Sequence, residues 1–65
     1  MNFDVGSLVH KKTGDYWFGG IIVAKFHKQN NKNAIRVVVE NIDGVLMIFN
    51  PNQLEEWNSV GKYEQ

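Results

Sequence analysis

Sixty-five residues, no cysteine and a formal net charge of zero narrow the possibilities before any motif is considered. A chain this short forms one domain that buries only about 60% of its unfolded surface, and lacking cysteine it has neither a disulfide nor a thiolate zinc site. Self-association is the remaining supplement to so small a core, and neutrality argues against a strongly polyanionic target.

The charge is unevenly spread. Residues 1–36 carry Lys11, Lys12, Lys25, Lys28, Lys32 and Arg36 against Asp4 and Asp15. Residues 37–65 carry Lys62 against Glu40, Asp43, Glu55, Glu56 and Glu64. Such asymmetry can mark an interaction face, although a barrel brings both halves together. His10 and His27 are too far apart for a local ligand pair, and no carboxylate motif joins them, so no metal site is expected. No apolar stretch approaches the ~20 residues that span a membrane, and the N-terminus lacks a signal-peptide pattern. A cytoplasmic protein without a membrane partner is expected.

In chain order, Ser7–Lys12 reads as a first strand centred on Leu8 and Val9, and Lys12-Thr13-Gly14-Asp15 as a turn in which Gly14 suits a positive φ. Trp17–His27 is a long β-rich run interrupted by Gly19-Gly20. Paired glycines in a strand mark a bulge, a bend or a close backbone approach. Gln29–Asn33 is a polar loop, and Ala34–Asn41, dense in β-branched residues, is the clearest strand. Asp43-Gly44 signals a hairpin into a strand over Val45–Phe49. Asn50–Gln53 reads as a single 3₁₀ turn and Leu54–Trp57 as a short closing strand. Residues 58–65 carry little pattern and are expected to be a poorly ordered tail. That order predicts an all-β, five-stranded SH3-like barrel over residues 1–57, closed so that few strand edges remain exposed. Its expected core includes Ile22, Ala24, Val37, Val39 and Leu54.

Val45-Leu46-Met47-Ile48-Phe49 breaks the pattern of a half-buried strand. Side chains alternate across a strand, so five apolar residues in succession put one set on the outside. Val37-Val38-Val39 repeats this on the partner strand. A contiguous apolar face of that kind is expected to be covered by another copy or a partner, with Trp17, Val45, Met47 and Phe49 at the interface of a dimer or tetramer.

The segment Val9-His10-Lys11-Lys12-Thr13-Gly14-Asp15-Tyr16-Trp17-Phe18-Gly19 resembles a stretch of the plasmid-borne type II dihydrofolate reductases. Leu46-Met47-Ile48-Phe49 stands where that family has Val-Gln-Ile-Tyr, followed by Leu54-Glu55 at matching distance. The resemblance extends to small bacterial and phage proteins with a run like Arg36-Val37-Val38-Val39-Glu40. It implies an SH3-like barrel that assembles as a homotetramer around one pore, where NADPH and dihydrofolate are positioned for hydride transfer. By resemblance Lys11, Leu46, Met47, Ile48 and Phe49 are the pore residues, Lys11 attracting anionic tails. Met47 replaces the family's ligand-binding glutamine, Phe49 deletes the tyrosine hydroxyl, and the Glu40–Leu46 connection is shorter than the family's. Each lost partner for a buried polar group costs about 1–3 kcal/mol.

No nucleophile–base pair, phosphate loop or carboxylate dyad is present, so no catalytic residue is assigned and no cofactor is expected. The reading is a self-associating interaction or scaffold module that lacks the reductase activity. One alternative is a weak NADPH-dependent dihydrofolate reductase. The other is a nucleic-acid-binding barrel using Lys11, Lys12, Lys25 and Lys28 with Tyr16, Trp17 and Phe26. Trp17, opening the longest apolar run, is read as a core or interface residue rather than a ligand platform.

Overall fold

The computed structural model describes residues 3–57. The expected tail over 58–65 lies outside the described residues. Five antiparallel strands form one sheet: β1 (Leu8–Lys11), β2 (Gly19–Lys28), β3 (Asn31–Glu40), β4 (Leu46–Phe49) and β5 (Leu54–Glu56), with a single 3₁₀ turn at Pro51–Gln53. The spatial order is β4-β3-β2-β1-β5. This is the predicted all-β, SH3-like arrangement with one difference. Among the described residues the sheet does not close, so β4 and β5 are its edge strands.

Phe3, Val9, Phe18, Ile22, Val37, Val39, Phe49 and Leu54 form the core, and Met47 packs against it. Cross-strand partners share a face of the sheet, so the ladders show how the core is assembled. Ile22 faces Val39, which faces Met47, and Val37 faces Phe49. Four of the five expected core residues are buried; Ala24 is exposed. The cause is a register shift between Ile22 and Ala24, which makes Val23 an extra residue and pairs Ala24 with Val38 on the opposite face. A bulge of this kind moves every later side chain across the sheet. It falls beyond Gly19-Gly20, not on them.

The turns explain the remaining boundaries. The β2–β3 hairpin is tighter than the predicted Gln29–Asn33 loop, with Lys28 paired to Asn31. Asn31 Oδ1 accepts from the Asn33 amide at 3.1 Å, so asparagine chemistry holds the chain just past the turn. The β3–β4 hairpin turns through Ile42, Asp43 and Gly44. Asn41 O accepts from the Gly44 amide, Asn41 Oδ1 accepts from the Asp43 and Val45 amides at 3.0 and 2.9 Å, and Gly44 takes φ +83°. A glycine there relieves the steric clash a side chain would meet. Asn50 and Gln53 cap the 3₁₀ turn reciprocally, each side chain accepting from the other end, with Pro51 opening it.

Candidate functional site

The face of β2, β3 and β4 turned away from the core is apolar over much of its extent. One row across three strands reads Ala24, Val38, Ile48 and another reads Ile21, Glu40, Leu46. Leu46 is 59% exposed and Ile48 61% exposed. The five-residue apolar run therefore divides as alternation requires, but with a definite assignment: Met47 and Phe49 inward, Leu46 and Ile48 outward. Phe49 belongs to the chain's own core, tilted against Phe18 with ring centroids 5.6 Å apart, and Met47 is half-buried beside it. Val45 is exposed in the connection before β4.

The two edge strands of the described sheet differ in chemistry. β5 carries Glu55 and Glu56, both exposed. Glu55 pairs with His10 Nε2 at 3.0 Å, and Glu56 lies opposite Val9, on the core side of the register. Charges on an edge strand, especially inward ones, discourage further pairing. β4 is Leu-Met-Ile-Phe and carries none.

A second feature lies on the outer side of the sheet where β1, β2 and the end of β3 meet. It is a groove of about 670 Å³ lined by Leu8, Gly19, Gly20 and Ile21 among others. Trp17 and Trp57 line it as well, together with Glu40, Ile42 and Asp43 from the end of β3 and the turn after it. Its glycines have distinct jobs. A Cβ on Gly20 would collide with the Glu40 carbonyl, so this residue permits the close approach of β2 to β3. A Cβ on Gly19 would come within 2.6 Å of the Trp17 ring, so the indole rests on bare backbone. Trp17 also stacks on His10 at 6.3 Å and 12° and meets Trp57 edge-on at 4.9 Å and 74°. The indole is thus held on three sides while remaining 56% exposed. Trp17 is not a core residue; it is a wall of this groove.

The basic residues do not gather with all the aromatics expected beside them. Lys11 Nζ lies 3.3 Å from the Tyr16 ring centroid, and the Tyr16 hydroxyl donates to Met47 Sδ at 3.9 Å. Lys11, Tyr16 and Met47 are therefore brought together, which the sequence separation of Lys11 and Met47 conceals. Lys25 turns instead toward Phe3 O and Asp4, at 3.4 and 3.7 Å. Lys28 and Lys32 lie together at the β2–β3 hairpin, a ten-residue strand away from Gly19, or roughly 30 Å of extended chain. Phe26 is exposed on β2 opposite Arg36. His10 is half-buried in its contacts with Glu55, the Lys11 carbonyl and Trp17, and His27 is exposed on β2. Among the described residues, no group of three His, Cys, Asp or Glu side chains is placed to hold a metal, and no helix is long and apolar enough to cross a membrane.

Sequence reasoning did not find the groove's acidic wall. Its only trace was the excess of negative charge after residue 36, which says nothing of where Glu40 and Asp43 stand relative to Trp17. Comparison with family models, curated proteins and solved structures yields no match to this chain.

Proposed function

We propose that the chain is a small interaction module that self-associates through β4. The carrying observation is the contrast between the two sheet edges: β5 bears two glutamates, whereas β4, the opposite edge strand among the described residues, is uncharged and apolar. Two β4 strands related by a two-fold axis would pair antiparallel and continue the sheet, each copy using the same patch. Four residues of backbone pairing are too little by themselves, because a stable interface covers about 800 Å² per partner. Leu46 and Ile48, with Val38 and Ala24 behind them, supply apolar area contiguous with that edge.

This reading supports an interaction or scaffold role. The kinship with type II reductases stays a proposal about ancestry of the fold, and we propose no reductase activity: the side chains at 47 and 49 that the resembled pore would use pack into the chain's own core.

The test is solution mass measured by sedimentation over a wide concentration range, for the wild type and for Ile48→Lys. The wild type is expected to associate reversibly, and the variant to remain monomeric with an unchanged far-ultraviolet spectrum. A wild type that stays monomeric at millimolar concentration would overturn the proposal.

A further inference from the structure

The groove between the tryptophans and the β3–β4 turn has a definite chemical character. Its volume of about 670 Å³ falls within the roughly 300–1,000 Å³ of ligand-binding clefts, enough for two side chains and more than one ammonium group fills. The lining is mostly apolar, and among the described residues that line it Glu40 and Asp43 are the charged ones. Among the described residues no ion pair reaches either carboxylate. Two carboxylates over an apolar floor repel phosphate and other anions. They attract a cation, and the indoles of Trp17 and Trp57 beside them supply aromatic surface on which an aliphatic stem can lie.

From this charge complementarity we infer that the groove is a docking site for a peptide segment bearing a lysine or arginine beside an apolar side chain. The cationic head is held at the Glu40–Asp43 wall, its aliphatic stem lies along the indoles, and the neighbouring apolar residue covers Leu8 and Ile21. Trp17 is held by His10, Trp57 and Gly19 before any ligand arrives, so little ordering is left for binding to impose. The inference does not depend on self-association, since Ile48 is not part of the groove.

The experiment is a titration of the ¹⁵N-labelled 65-residue protein with the peptide acetyl-Leu-Lys-Leu-amide, followed by amide and indole NMR shifts. Acetyl-Leu-Glu-Leu-amide and n-butylammonium chloride serve as separate probes. Saturable shifts are expected at the Trp17 and Trp57 indoles and the Gly19 and Gly20 amides. Loss of both charges in Glu40→Gln with Asp43→Asn should weaken the lysine peptide about fivefold to tenfold, and added salt should weaken it too. If the double variant fails to fold, Asp43→Asn alone carries the test, because asparagine suits the same turn position. The glutamate peptide should show no saturation over the same range.

The inference is overturned if the glutamate peptide binds as well, if the charge-neutral variants bind unchanged, or if the shifts fall away from the groove. Binding of n-butylammonium as tightly as the peptide would also overturn it, marking a site for small cations. So would a lysine peptide that never approaches saturation at millimolar concentration.

Discussion

Gly19 and Gly20 are neighbours in sequence, yet a methyl group at each would meet a different obstacle. At Gly20 the obstacle is the Glu40 carbonyl, part of the β2–β3 ladder; at Gly19 it is the rim of the Trp17 indole. Backbone cannot step aside without breaking pairing, whereas a side chain can change rotamer. Gly20→Ala is therefore expected to destabilise by more than about 2 kcal/mol in urea unfolding. Gly19→Ala should stay folded but alter tryptophan fluorescence as Trp17 leaves its seat. Equal stability losses in the two variants would contradict the distinction. The core offers a parallel contrast. Ile22→Ala removes a fully buried side chain and should cost about 2–5 kcal/mol. Ala24→Val, on the exposed side of the bulge, should change stability by no more than about 0.5 kcal/mol.

The β3–β4 hairpin owes its shape to one side chain. Asn41 Oδ1 accepts from two amides of the turn, and the left-handed Gly44 lets the chain come back into register at Leu46. Asn41→Ala strands both amides, though water can reach this exposed turn, so a loss of about 1–2 kcal/mol is expected. Gly44→Ala forces a Cβ onto a positive φ and should cost about 1 kcal/mol or more. Both changes should also weaken the lysine peptide, because the same turn carries Asp43 and Ile42 into the groove wall. Turn variants that lose stability while leaving peptide affinity intact would separate the hairpin from the groove.

At the scale of the molecule, the sheet of the described residues has two edge strands of opposite character, and under the proposed association that asymmetry would limit assembly. A protein with one pairing-competent edge stops at a two-fold dimer, whereas two such edges permit open-ended growth. Glu56→Val removes one of the charges on β5 while sparing the His10–Glu55 contact. It is expected to convert a closed association into concentration-dependent aggregates, visible as growing light scattering. Combining it with Ile48→Lys should reduce that growth. A Glu56→Val protein with unchanged solution mass would show that β5 is not protected by its charge.

Strand identities were legible because they follow from local chemistry. β-branched density marked β3, asparagine, aspartate and glycine marked the turns, and Asn50-Pro51 with Gln53 marked the 3₁₀ turn. Alternation likewise required that half of the Val45–Phe49 run face outward. Which half did so depended on register against β3, a non-local quantity, and the tertiary structure assigned Leu46 and Ile48 to the outside. Ala24 was misplaced for a related reason: one extra residue at Val23 reverses the alternation, and β-branched neighbours look the same with or without it. Phe3 entered the core from a segment without strand pattern, and Phe18 from just before β2, where only three-dimensional proximity selects the buried side chain. The groove lay furthest from reach. Its tryptophans and carboxylates come from three separate parts of the chain, and it exists only because the sheet brings those parts to one side.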